Sequence, residues 1–418
     1  MSEFLAFFSF VMLLIVACLI INEKVFKIPP EIALLIFSLG VGILFRLLMT
    51  VGIMRPRGVI FDTISTYSID DVLMNILLCF MLFSGSSDLK FKSLLENFKP
   101  ILLLALLTTM IAALVYGGLI YLVVSALSLP ISFSTCVLLG AIISPTDPIA
   151  ATGILNKLGL PEDITAIMEG ESLFNDGTGV ALFVFVKGIV THTAEANFFA
   201  VMARELLGAI LLGVIVSFVC LKLIRITANE VHHILISLFA VSFCYKISEV
   251  IGCSGAIASV VCGIYFTSVI EKYRKAGLID HSGKVYESFW STIDKILNYI
   301  LYVLIGVSFV YLNVSRHMPV IAAAAIIINF AARYAGVYVS TLALGKAPDG
   351  YTNAEFTTLM TWSGLKGGLC LALVMSIIGI VPGEVYQEFL FIVFITILFT
   401  TIIQGLTVAK LYVRLKKT

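Results

Sequence analysis

The chain has 418 residues, 60% of them hydrophobic and 13% charged, with a formal net charge of +1 and a mean hydropathy of +1.08. A soluble domain carries about 25% charged residues, so a soluble globular protein is excluded. With so small a net charge and no Lys/Arg cluster to meet a phosphate backbone, a nucleic-acid partner is excluded too.

Apolar stretches long enough for a hydrocarbon core of about 30 Å recur along the whole length. They predict an all-α polytopic membrane protein of about thirteen spans, at 4–21, 31–50, 72–87, 100–126, 132–155, 164–190, 198–224, 231–249, 254–270, 290–311, 318–344, 355–379 and 386–411. The first, in "MSEFLAFFSFVMLLIVACLII", lacks the basic leader and small-residue cleavage site of a secretory signal and reads as a retained span. Connections are short. The longest polar one, "EKYRKAGLIDHSGKVYES" at 271–288, has the length for an interfacial helix. The whole of 1–418 reads as one membrane domain, with no soluble regulatory domain expected.

The eight cysteines, Cys18, Cys79, Cys136, Cys220, Cys244, Cys253, Cys262 and Cys370, lie in or beside apolar segments without CxxC spacing. They read as small packing residues.

Basic residues set the orientation. With the N-terminus outside, the inner connections collect seventeen Lys/Arg, among them Lys24, Lys27, Lys157, Lys222, Lys272 and Lys410. The outer ones hold five: Arg46, Arg55, Arg57, Lys187 and Arg316. The C-terminus is then cytoplasmic. The other five of the 27 lie in or beside spans: Arg204, Lys246, Lys295, Arg333 and Lys366. The first three can snorkel or pair locally, whereas Arg333 falls in mid-span, where it needs an acidic partner.

Two spans carry breaks. In "CVLLGAIISPTDPIAATGIL" Pro145 and Pro148 flank Thr146 and Asp147; each proline removes a backbone donor and clashes with the preceding turn. In "WSGLKGGLCLAL" Gly364, Gly367 and Gly368 surround Lys366. These are the fifth and twelfth spans, which cross in opposite directions. Broken helices at matching places in oppositely oriented halves point to inverted repeats, spans four to six against eleven to thirteen, and a secondary transporter with its site at the midplane crossing.

The sixth span opens with "GESLFNDGTG" at 170–179. On a helix Ser172 and Asp176 share one face and Glu171 and Asn175 the adjoining one. Glu171 and Asp176 stand about 140° apart. Glu171 is therefore placed to pair with Arg333. Asp176, with Ser172 and the freed carbonyls near Thr146, is placed to offer hard oxygen ligands to a small cation or to carry a proton.

In order and spacing, "SPTDP", "GESLFNDGTG", "ARYAGV" and "WSGLKGGLCLAL" resemble the motifs of monovalent cation:proton antiporters, in the Na⁺/H⁺ exchanger branch that includes prokaryotic NhaP-type proteins. The resemblance covers essentially the whole chain. It implies that Asp176 is the ion- and proton-binding carboxylate, with Asn175 its companion. Thr146, Asp147 and Ser172 would complete the ion site, with Asp176, Ser172 and Thr146 as metal-ion ligands. Glu171 and Arg333 would form a structural ion pair. Electrogenic relatives have Asp-Asp where this chain has Asn175-Asp176, so the resemblance implies electroneutral exchange of one cation for one proton.

It also implies a homodimer in the cell membrane. Residues 1–98 and 229–317 would be dimer and scaffold helices, and 99–190 and 318–414 the mobile ion-transporting core. No cofactor is expected beyond the transported Na⁺ or other monovalent cation and H⁺, and the partners are those ions and membrane lipid. The family's usual "GLRG" arginine is replaced by Lys366, which keeps the charge for compensating helix ends but lacks the bidentate fork.

Three readings compete at this stage. The cation is Na⁺, or else Li⁺ or K⁺ in the same kind of antiporter. A cation channel would use the same carboxylate without proton coupling. "GCSGA" at 252–256 fits a GxSG protease pattern, but a serine nucleophile needs a base within hydrogen-bond reach. All five histidines fall in loops or at span edges, so Ser254 reads as a packing residue.

Overall fold

The computed structural model describes residues 2–52, 77–88, 91–193, 198–227, 229–276, 282–312, 317–348 and 350–416. Arg55, Arg57, Arg316 and the Asn-Val-Ser tripeptide at 313–315, a pattern for N-glycosylation, lie outside them. The described residues are helical, without a strand.

Among the described residues ten helices are long and apolar enough to cross a membrane, and all of them fall on expected spans. They are α1 (Ser2–Ile21), α2 (Pro30–Thr50), α4 (Phe98–Ala126), α7 (Glu162–Val190), α8 (Ala200–Ile224), α9 (Glu230–Ile251), α10 (Gly255–Lys275), α11 (Ser282–Val307), α12 (Met318–Leu344) and α15 (Gly383–Leu415). Five shorter helices fill the remaining places: α3 (Leu78–Asp88), α5 (Phe133–Ile143), α6 (Ile149–Lys157), α13 (Asn353–Trp362) and α14 (Gly368–Met375).

The pairs α5/α6 and α13/α14 fall where the fifth and twelfth spans are expected. Helix α5 stops at Ile143 and α6 starts at Ile149, after the Pro145–Pro148 stretch. Neither proline can donate a backbone hydrogen bond, which ends the ladder there. Helix α13 starts at a capping box, Thr352 with Glu355, and ends before Ser363, where the glycine-rich turn begins. The two interruptions touch: the Asp147 amide donates to the Leu365 carbonyl at 2.8 Å.

One expectation fails. The 271–288 connection holds no separate interfacial helix among its described residues. Instead α10 runs on to Lys275 and α11 begins at Ser282. Polar residues such as Glu271 and Lys275 pair one turn apart at 2.6 Å, so the helix continues past the apolar run rather than breaking.

Polar side-chain contacts sort the spans into two sets. Within one, Thr108 on α4 meets Ser340 on α12 at 2.8 Å, and Trp362 on α13 donates to Thr407 on α15 at 3.1 Å. Tyr412 on α15 donates to the Gly159 carbonyl, beyond α6, at 3.1 Å. Within the other, Ser84 on α3 donates to Asp294 on α11 at 2.8 Å. Trp290 on α11 donates to Ser237 on α9 at 3.1 Å, and Ser38 on α2 donates to the Tyr302 carbonyl on α11 at 3.3 Å.

Candidate functional site

Where the interruptions meet, the chain presents two helix C-termini, of α5 and α13, and two N-termini, of α6 and α14. Each end leaves backbone groups without intrahelical partners and carries a partial charge of about half a unit. In an apolar interior those groups need partners.

Lys366 supplies them at the end of α5. Its ammonium donates to the carbonyls of Ser144 at 3.2 Å and Pro145 at 3.1 Å. The side chain is fully buried, so a positive charge lies against the negative end of α5. The Lys366 backbone is itself held from α15. Thr400 accepts from its amide at 3.0 Å, and Thr401 donates to its carbonyl at 3.4 Å. Both threonines lie in a π-helical turn, Phe399–Gln404, a wider turn often found at functional sites. At the other pole the Asp147 carboxylate accepts from the Ile149 amide at 3.0 Å, at the start of α6. Its second oxygen accepts from the Tyr302 hydroxyl at 3.3 Å.

Helix α7 braces the first interruption. Ser172 donates to the Thr146 carbonyl at 2.7 Å. Asn175 donates to the Thr146 hydroxyl at 2.7 Å and accepts from the Thr146 amide at 3.4 Å. The carbonyls of Ser144, Pro145 and Thr146 each have a donor, as an apolar interior requires, and each keeps a second lone pair. Asn175 sits behind the interruption rather than on the cavity wall.

Glu171 and Arg333 form the expected pair. The guanidinium reaches both carboxylate oxygens, at 2.5 and 2.8 Å, with the two side chains only 3% and 4% exposed. Arg333 also donates to the Met360 carbonyl at 3.2 Å, and Glu171 accepts from Asn175 at 3.4 Å. The pair therefore links α7, α12 and α13. Gly364 makes room for it: a Cβ there would lie 2.7 Å from Arg333 Nε.

Asp176 is the exception in this network. Its half-buried side chain lines a cavity of about 220 Å³, together with Thr146, Asp147 and Ser172, and among the described residues no donor or cation takes up its carboxylate. Glu169 and Asp294 line the same cavity, and among the described residues no Lys or Arg does. Neither acid stands out in the sequence: each lies near the start of its expected span, 164–190 or 290–311, where a charge costs less than at mid-depth. A water-accessible pocket walled by one sign of charge concentrates cations.

The bland alternatives resolve as well. Ser254 accepts from the Ile257 amide at 3.3 Å, a capping role at the start of α10. Lys246 pairs with Glu249 at 3.4 Å.

Residues 10–414 match the sodium/hydrogen exchanger transmembrane family. The chain belongs to that family. It is 28% identical over 405 residues to the Na⁺/H⁺ antiporter NhaP of Pseudomonas aeruginosa, covering 94% of this chain and 93% of that one. To the low-affinity Na⁺/H⁺ antiporter NhaS1 of Synechocystis it is 29% identical over 354 residues, 81% of this chain and 63% of the relative. The fold matches the structure of the sodium proton antiporter MjNhaP1 from Methanocaldococcus jannaschii with a TM-score of 0.76, at 19% identity, over the whole of both chains. An exchanger-family chain thus places the Asp176 carboxylate, unpartnered among the described residues, near the meeting point of two interruptions.

Proposed function

We propose that this chain is a Na⁺/H⁺ antiporter that exchanges one Na⁺ for one H⁺ at Asp176. The observation that carries the reading is the Asp176 carboxylate, without a hydrogen-bond or ion-pair partner among the described residues on the cavity wall, in a chain of the exchanger family. Na⁺ and H⁺ compete for this one group. Either neutralises it, and the loaded site then crosses to the other face; an empty, charged site does not. Ser172 and Thr146 stand beside Asp176 as further oxygen ligands for the ion. Asp147 contributes charge while capping α6. The neighbour of Asp176 is the neutral Asn175, already committed to Thr146, so a single carboxylate titrates per cycle and the exchange carries no net charge.

The protein acts as a homodimer in the cell membrane, N-terminus outside and C-terminus cytoplasmic, without a resident cofactor. The ion-carrying core comprises 99–190 and 318–414 and moves against 1–98 and 229–317. The division follows the two sets of polar contacts. Thirteen crossings fit the ten long helices, α3 and the two interrupted pairs.

The test is proton movement in everted membrane vesicles, read as dequenching of a pH-sensitive dye on adding Na⁺, Li⁺ or K⁺, with and without a shunt of the membrane potential. The reading expects a response to Na⁺ that the shunt leaves unchanged. A response to K⁺ alone would overturn the choice of ion. Na⁺ permeation as current without proton movement would make the protein a channel.

A further inference from the structure

The Tyr302 hydroxyl hydrogen-bonds to Asp147, and so joins the two sets of spans at the ion site. Tyr302 belongs to α11, whose polar contacts tie it to α2, α3 and α9. Asp147 belongs to the interruption of the fifth span, which is tied to α7 and α15 through Thr146 and Lys366. The preceding residue, Leu301, fills the space that a side chain on Gly368 would need. Leu301 also forms part of the cavity wall. The residue pair 301–302 therefore closes α11 onto the crossing.

The cavity extends from Asp176 past Thr152, Glu169 and Asp294. Glu169 lies two turns nearer the start of α7 than Asp176 does, and Thr152 lies on the first turn of α6, past the interruption in the direction of the α6–α7 connection. That four-residue connection, 158–161, puts the end of α6 and the start of α7 on the same side of the membrane. Antiport requires that the same site be reached from the opposite side as well. When that happens, the closure by Leu301 and Tyr302 has to open.

We infer that Tyr302 is a positioning residue for exchange. Its hydrogen bond to Asp147 latches the crossing against α11 in the state whose cavity faces the α6–α7 connection, and it is broken when the site turns to the other face. The inference rests on the antiporter reading above. The latch stabilises one of two states and Tyr302 itself touches no transported ion, so its removal acts chiefly on the populations. An apparent affinity is the intrinsic one divided by the competent fraction. The ratio of the two KM values for Na⁺, taken from the two faces, therefore moves by the full change in the equilibrium wherever that equilibrium began.

The experiment measures KM for Na⁺ in everted and in right-side-out vesicles for wild type and Tyr302→Phe, which keeps the ring and loses the donor. A hydrogen bond to a charged acceptor corresponds to about a tenfold change in such an equilibrium. The KM ratio is expected to shift by about tenfold, with KM rising at the face the cavity serves or falling at the other. Tyr302→His, which restores a ring donor, is expected to return the ratio to within about threefold of wild type. If Tyr302→Phe does not reach the membrane, Tyr302→Leu replaces it with the same expectation. An unchanged ratio, with both KM values moving together or only the maximal rate falling, would overturn the latch. So would a histidine variant as displaced as the phenylalanine one, since the effect would then come from packing. Absence of Na⁺-dependent proton movement in wild type would strike the antiporter reading instead.

Discussion

Glu171→Gln should destabilise the protein more than its small chemical change implies. The carboxylate accepts from Arg333 with both oxygens, at 2.5 and 2.8 Å, beside the 3.2 Å bond to the Met360 carbonyl; glutamine keeps one acceptor oxygen but sets an amide NH₂ against the guanidinium in place of the other. Arg333 Nε already lacks a partner among the described residues. The guanidinium keeps its charge at any working pH, so the variant strands a buried cation. Breaking a buried pair from one side costs about 3–5 kcal/mol. For a chain of this size that corresponds to a fall in melting temperature of roughly 3–6 °C. Glu171→Leu combined with Arg333→Met removes both charges, and the loss should then be at most about half as large. The assay is thermal unfolding in detergent, followed by the surviving monodisperse fraction. A Glu171→Gln protein within about 2 °C of wild type, or a double variant no more stable than the single one, would refute the reasoning.

Further outcomes follow from neighbouring contacts. Lys366→Met leaves the Ser144 and Pro145 carbonyls without their donor and the end of α5 without its counter-charge; a loss of about 2–4 kcal/mol should appear as a lower melting temperature together with slower exchange. Gly364→Ala drives a Cβ to within 2.7 Å of Arg333 Nε and should approach the Glu171→Gln defect in the same unfolding assay. Asn175→Asp places a second carboxylate 3.4 Å from Glu171; repulsion there should lower stability and exchange rather than produce current, and robust electrogenic transport by this variant would contradict the assigned role. Because H⁺ and Na⁺ compete for Asp176, KM for Na⁺ should climb as pH falls, by about tenfold for each pH unit on the acid side of that carboxylate's own titration; a KM indifferent to pH between 6 and 9 would argue against competition.

Much of this site is written locally. Pro145 and Pro148 announce their break because proline cannot continue a helix ladder. Glu171 and Arg333, each too costly alone in mid-span, call for one another across 162 residues. The four-residue spacing of Ser172 and Asp176 puts both on the cavity wall. Other features depend on the tertiary arrangement. No local pattern says that Lys366 reaches two carbonyls more than 220 residues earlier in the chain, or that Asn175 is consumed by bracing Thr146. Tyr302 looks like any aromatic in "ILNYILYVLIG", and its signal, a phenol at mid-depth in need of a partner, does not identify that partner as Asp147. The π-helical turn that brings Thr400 and Thr401 to Lys366 leaves no trace in the apolar periodicity. The 271–288 stretch misled because polar composition marks an exit from the membrane without marking the end of a helix.

The central claim is that Asp176 carries both ions. Purified protein in proteoliposomes, loaded at acidic pH and diluted into alkaline medium with radiolabelled Na⁺, reads this most directly, with wild type and Asp176→Asn compared at equal incorporation and equal melting temperature. The account predicts Na⁺ uptake driven by the outward proton gradient in wild type, and none above empty liposomes in the variant. Gradient-driven uptake that survives in a folded Asp176→Asn protein would contradict it.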